Sequence, residues 1–549
     1  MSVLITNVFA VDGDGRGDAL VDVRVTGDRI AAITPAASGG SDASGEATAV
    51  GASVIDGDGR LLLPGFVDAH SHAGGLLGDP EVPLALLRQG VTTVVSGQDG
   101  VGSAPGDGRY AGEYFAAIDG PNGGYDGGGI AALLAAADGA SALNLATLVP
   151  AGTVRFEVMG RSTAAATADE LDAMAALVAE GLAQGAVGLS TGLDYVPGIF
   201  ASTDELTALA RPLADAGGVF VSHMRGGYES GSAAGIAELA AISRGSGAPI
   251  HVSHFHAEPH LLLGLLDQLD ADGIDATFDA YPYGRGCSLL GMPILPAALS
   301  VLPVDRVLAT LRDPVERERL LTEWFPTIVD YPSLGPDWPS MLTFAHIAAP
   351  EYDWAHGCTV AEASARGGAS PAEFALDVLV ASRLEVTVVM AVQVERRDAD
   401  LRRILAHPAA MGGSDGIFIG RHPHPRARGT FARYLDLLVG GGDGDRGGVL
   451  DWAQAAALCS TRAVDRFGLG ERGRVRPGAI ADLVLVDPAR VRDRASYDEP
   501  LRLAEGIDDV LVGGVPVLAG GLVTGAAPGR GIRRSGIRPS TDRSAGGEP

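Results

Sequence analysis

Pro64-Gly-Phe-Val-Asp-Ala-His-Ser-His72 is a short apolar strand, Phe66 to His70, that ends in two histidines two residues apart. Side chains alternate along a strand with a period of two, so His70 and His72 point the same way. Seven more apolar pieces follow: VTTVVS (91–96), LNLATLV (143–149), VGLST (187–191), VFVSH (219–223), PIHVSH (249–254), ATFDAY (276–281) and AAMGGSD (409–415). Helical patterns separate them. One is opened by Thr167-Ala-Asp-Glu170, a capping box, with an apolar stripe of Leu171, Met174, Leu177 and Val178, and another by Ser202-Thr-Asp-Glu205. Strands alternating with helices predict βα units and a parallel sheet, and eight strands is the number that closes a (β/α)8 TIM barrel.

Outside this region the texture changes. Residues 1–63 hold short strand-like pieces broken by Asp-Gly and Gly-Asp turns, and residues 471–528 (ADLVLVD, DDVLVGGVPVL, LVTG) repeat the pattern. Both ends are therefore expected to contribute to one small β-sandwich domain flanking a catalytic barrel over 64–470. Residues 289–407 exceed what one crossover needs and predict an inserted subdomain before the last barrel strand, with VTVVM (386–390) as one of its strands. Ala36 to Ala52 reads as an exposed loop and 529–549 as a disordered tail.

The chain has 549 residues, of which 46% are hydrophobic, enough for a large core. Its 41 basic against 68 acidic residues leave a net charge of −27, the reverse of what a nucleic-acid binder needs. No lysine occurs, so every basic residue is arginine, and a Schiff base, a catalytic amine or a carboxylated lysine is excluded. Three scattered cysteines and no CxxC give no disulfide framework. The start has no signal-peptide pattern, and no run of 18 apolar residues is present, so a soluble, cytoplasmic protein without membrane contact is expected.

In a βα barrel the chemistry sits at the C-terminal ends of the strands. Here those ends carry His70 and His72, Asp99, His223, His254 with His256 two further on, and Asp415. Imidazole and carboxylate at matching strand ends are the ligand set of Zn²⁺ and similar divalent metals. His251 alternates to the other side of its strand, and His346, His356 and His407 match no strand end, so these four read as structural or surface residues.

The stretches PGFVDAHSH, GVTTVVSG, AVGLSTGLDYVPGIFAS, VSHMR, HVSHFH, DAYPY, GGSDG, HPRARGTFARY and RGRVRPGAIADLVLVDP resemble, in order and over nearly the whole chain, the D-aminoacylase (N-acyl-D-amino-acid deacylase) family of the amidohydrolase superfamily. The resemblance implies a metal-dependent barrel with one or two divalent cations, zinc foremost. It places His223 and His254 on the tightly held metal and His70 and His72 on a weaker one. It makes Asp415 the general acid/base, and sets Arg426, with Tyr283, on the α-carboxylate of a small-molecule substrate. Two positions depart from the family: Asp99 replaces a metal-ligating cysteine, and His256 replaces a lysine that helps bind the carboxylate. Ala73-Gly-Gly75 also follow the HSH motif where acidic residues are usual. The activity implied is hydrolysis of N-acyl-D-amino acids. The two departures keep a second reading open, hydrolysis of a cyclic amide, a lactam or a secondary-metabolite acyl-amide, and a metal-binding pseudoenzyme is a third. Oligomeric state is not encoded in any motif.

Overall fold

A computed structural model describes residues 2–36, 53–121, 125–330, 334–440 and 448–535. Eight parallel strands run through its centre: β1 (Phe66–Asp68), β2 (Val91–Ser96), β3 (Asn144–Thr147, continued by Val149–Pro150), β4 (Gly188–Gly192), β5 (Val219–His223), β6 (Ile250–Val252), β7 (Ala276–Asp279) and β8 (Ala410–Met411). All eight pieces read from the sequence form strands. β1 to β3 pair in order, as do β3 to β8. The last strand also bonds back to the first: Ala69 N donates to Gly412 O at 2.9 Å and Asp415 N to His70 O at 2.8 Å.

Helices cover the outside for reasons local to the sequence. In Ala168–Ala183 the Thr167 hydroxyl accepts from Glu170 N and the Glu170 carboxylate accepts from Thr167 N, a complete capping box. Met174 and Val178 are buried against the strands, with Leu171 and Leu177 half-buried beside them. Ser202 caps Thr203–Ala216 in the same way, but its Glu205 side chain turns to the buried Arg155 at 3.0 Å instead of closing the box.

The chain's two ends share one ten-stranded sheet. Leu61–Pro64 lies antiparallel to Leu483–Val486, and Ser2–Asp12 is its neighbour on the other side. Val3, Ile5, Val23, Leu62, Leu483 and Leu485 fill one face of it. Each fully buried side chain of this size contributes about 1.5–3 kcal/mol, so the pairing of sequence-distant ends is well supported. Between β7 and β8, Gly286–Leu289, Leu342–Ile347 and Val386–Met390 form a separate antiparallel sheet with its own apolar core. This unit begins before residue 289, and the helix Asp398–Leu405 packs Leu401, Ile404 and Leu405 into the central core rather than into the insertion.

The expected tail does not begin at residue 529. Leu145 N donates to Arg530 O and Ile532 N to Leu145 O, and Ile532 is buried in one cluster with Val67, Val95 and Phe467. Its polar neighbours in sequence conceal one apolar anchor. Residues 536–549, and all of the expected loop except Ala36, lie outside the described residues.

Candidate active site

The strand ends bring two ligand groups together: His70, His72, Asp99 and Asp415, and Asp99, His223 and His254. Asp99 belongs to both. Its Oδ1 lies 3.6 Å from His254 Nε2, 3.8 Å from His70 Nε2 and 4.0 Å from His223 Nδ1, while Oδ2 is 3.7 Å from His72 Nε2. Asp415 Oδ1 is 3.2 Å from His72 Nε2. All six residues are buried, yet both ring nitrogens of His70 and Oδ1 of Asp99 have no hydrogen-bond partner. Buried polar atoms are rarely left so. Orphaned imidazole nitrogens converging on a carboxylate are the donor set of a divalent cation, and the fit is good.

The backbone at these ends is itself unusual. Asp99, His254 and Asp415 hold φ of 54°, 34° and 49°. Non-glycine residues adopt this region at a cost, about 1–3 kcal/mol each, and such residues gather at functional sites. Gly413 shows the crowding: a Cβ there would come within 2.7 Å of the Asp279 Cβ.

A second ring of carboxylates orients the imidazoles. Asp119 Oδ1 is 2.6 Å from His72 Nδ1, Asp194 Oδ2 is 3.3 Å from His223 Nε2, and Asp279 Oδ2 is 3.6 Å from His70 Nδ1. Asp279 also accepts from His254 N at 2.9 Å and meets His251 Nε2 at 2.9 Å. His251 is therefore a buried support and not a surface residue. A carboxylate behind a ligating histidine fixes its tautomer and its orientation. Asp68, on the first strand, accepts from Ser414 N and Oγ at 2.7 and 2.6 Å, clamping the start of the Asp415 turn; burial lifts its pKa to about 6 against those bonds.

Burial alone would raise the pKa of Asp99, but the imidazoles of His254, His70 and His223 outweigh it and hold it well below the usual carboxylate range. Asp415 is likewise pushed up by burial and pulled down further by Arg426. Arg426 is 1% exposed, with its guanidinium 4.5 Å over the Tyr281 ring and Nη2 2.9 Å from Asp415 Oδ2. That contact is an ion pair, and none of the fork's nitrogens makes a hydrogen bond.

Two expected substrate contacts are not placed at this point. Tyr283 donates its hydroxyl to Asp493 at 2.6 Å, and it is Tyr281, two residues earlier, that lies under Arg426. His256 turns both ring nitrogens to backbone carbonyls, His254 O and Tyr281 O, each at 2.9 Å. A neutral ring can donate to only one of them. Burial, helped by Arg396, nevertheless lowers its pKa to about 3. Neither residue faces the ligand groups. Phe115, Tyr195, Ile417 and Leu289 of the insertion make an apolar cluster over the site, with Tyr195 4.9 Å from the His223 ring.

A model of the amidohydrolase family matches residues 53–285 and 347–518, which include every one of these ligand residues. The chain belongs to the amidohydrolase family. Among amidohydrolases it is 31% identical to a D-aminoacylase of Alcaligenes xylosoxydans xylosoxydans, over 97% of this chain and 98% of that one. A solved D-aminoacylase structure matches with a TM-score of 0.75 at 30% identity, covering 97% of this chain and 99% of the other, and the D-aminoacylase centre has been described as binuclear. An N-acyl-D-glutamate deacylase of Bordetella bronchiseptica, solved with zinc and a phosphonate mimic of the tetrahedral intermediate, matches with a TM-score of 0.74 at 29% identity, covering 97% and 99%. The amidohydrolase architecture, a metal-dependent TIM barrel, is thus the architecture of this chain.

Proposed function

We propose that this amidohydrolase cleaves the amide of N-acyl-D-amino acids to a carboxylic acid and a free D-amino acid. The observation that carries the reading is the buried line Arg426–Asp415–His72, in which a carboxylate-binding fork, a proton-carrying carboxylate and the ligand groups follow one another within 3.2 Å steps. Full-length similarity to deacylases of N-acyl-D-amino acids supports it.

His223, His254 and Asp99 would hold one divalent cation, and His70, His72, Asp99 and Asp415 a second, with zinc the first choice. A cation bound there would polarise the amide carbonyl and lower the pKa of its water to about 7. Asp415, held ionised by Arg426, accepts a proton from the attacking water and returns it to the departing nitrogen, because amines leave poorly unless protonated. Arg426 offers its unpartnered nitrogens to the substrate's α-carboxylate in a planar, bidentate geometry. Tyr281 holds the fork flat from below. Phe115, Tyr195 and Leu289 keep bulk water out.

This reading takes residues 64–470 as one closed (β/α)8 barrel, supported by the bonds from Ala69 to Gly412 and from Asp415 to His70. It takes 1–63 and 471–528 as a β-sandwich domain, supported by their shared sheet.

The test is a screen of N-acyl D- and L-amino acids with protein loaded separately with Zn²⁺, Co²⁺ and Mn²⁺. Turnover of the D series is expected, and Asp415→Asn should lower it by about 10²–10⁴-fold with metal content and melting temperature unchanged. Because Asp415 belongs to the second ligand group, the metal content to be held constant is that of the His223–His254–Asp99 group; retention of a tenth of wild-type activity in that variant removes Asp415 from the mechanism. Failure of every metal form on every N-acyl amino acid overturns the reading.

A further inference from the structure

A cavity of about 470 Å³ reaches His72 and Asp119 at the edge of the site, and Arg426 does not line it. Its inner end is His72, Gly97 and Asp119, and its rim includes the exposed Gly78 and Ala140. Between them the walls are apolar: Leu77, Leu143 and Leu145 are buried and Leu133 is half-buried. The lining is polar where it meets the ligand groups and mainly apolar along its length, with Ser103 and Ser141 among the leucines and alanines.

Contacts link this cavity to the chemistry. Arg426 Nη2 is 2.9 Å from Asp415 Oδ2, Asp415 Oδ1 is 3.2 Å from His72 Nε2, and His72 Nδ1 is 2.6 Å from Asp119, which lines the cavity. The fork therefore stands at one end of a chain of contacts and the cavity at the other, with Asp415 and His72 between them. A molecule with its carboxylate on Arg426 and its amide at the ligand groups has its acyl group directed away from Arg426, toward the cavity. His70, Asp99, His223, His254 and Asp415 are each less than a tenth exposed, so a long acyl chain has no room beside them.

We infer that this cavity is an acyl-chain subsite and that the preferred substrates carry a straight aliphatic acyl group of roughly eight to twelve carbons, since the volume is about three times that of an apolar cavity that holds benzene. The inference rests on the deacylase reading above.

The test is kcat/KM for the N-acetyl, N-butanoyl, N-octanoyl and N-dodecanoyl derivatives of one D-amino acid. Each methylene taken out of water is expected to raise kcat/KM by up to about fourfold until the cavity is full. Ala137→Phe, which narrows the cavity from the helix Gly129–Ala137, should cost the octanoyl substrate at least tenfold and leave the acetyl substrate unchanged. Leu133→Trp serves if that variant does not fold. An octanoyl substrate no better than the acetyl one, or a chain-length profile untouched by both variants, overturns the subsite while the deacylase reading stands. If no N-acyl amino acid is turned over, the deacylase reading fails instead. The cavity is then judged by octanoate displacing a fluorescent fatty acid: displacement from wild type and not from Ala137→Phe supports a subsite for aliphatic chains, and no binding overturns it.

Discussion

Arg426 Nη2 stands 2.9 Å from Asp415 Oδ2, and both residues are sealed from solvent. Burial would push the Asp415 carboxyl up, and the guanidinium reverses that effect. Arg426→Met should therefore raise the Asp415 pKa. A general base is lost as pH falls through its pKa, so the acid limb of the kcat/KM profile should move to higher pH. The same change should raise KM for substrates with a free α-carboxylate by about ten- to a hundredfold, and hardly alter it for their esters. An unmoved acid limb would show that the pair does not set the charge of Asp415.

Asp99 faces both ligand groups, so its loss should empty both. Asp99→Ala is expected to lose most bound metal by elemental analysis, while Asp99→Cys should restore zinc at one site per chain, because a soft thiolate favours zinc over harder cations. Full metal content in Asp99→Ala would make Asp99 a turn residue and nothing more.

Asp279→Asn keeps the shape of the side chain but removes the charge behind His70 and His251. Supports of this kind typically contribute 10–100-fold in metal affinity or activity. Competition with a chelator should show one cation weakened about that much, with the second held by His223 and His254 far less affected. Equal weakening of both, or of neither, would argue against Asp279 orienting His70.

Tyr283→Phe separates the family pattern from the geometry. The hydroxyl is committed to Asp493, which burial already pushes toward its neutral form. The variant should lose about 1–3 kcal/mol of stability, the cost of stranding a buried acceptor, with KM for the carboxylate substrate nearly unchanged. A large rise in KM at constant stability would return Tyr283 to the substrate.

What the sequence made legible were features fixed by local period. A strand of period two ending in His-x-His decides its own facing, and the strand-end rule then collected Asp99, His223, His254 and Asp415 from four different parts of the chain. Asp279 carried the same signal at the end of ATFDAY, but His251 beside it read as outward-facing, so the pair went unrecognised. Asp119 and Asp194 gave no signal, since they reach their histidines across 47 and 29 residues of loop and helix. Tyr281 and Tyr283 share parity in DAYPY, and the intervening proline ends the strand, so alternation cannot say which one meets Arg426. His256 stands where the resemblance puts a carboxylate-binding lysine, but His254 has a left-handed backbone and the His256 ring turns to His254 O and Tyr281 O.

The shared sheet of the two ends has a consequence for synthesis. Leu61, Leu62 and Leu63 gain the strand that covers one edge of them, Leu483–Val486, only some 420 residues later. At about 5–20 residues per second the ribosome takes on the order of 20–80 s to deliver that partner. Ile532 closes the interior later still. During that interval the growing chain presents an unpaired leucine-rich edge, so its yield in a cell should depend on chaperone supply, and slowing translation should lower the soluble fraction rather than raise it.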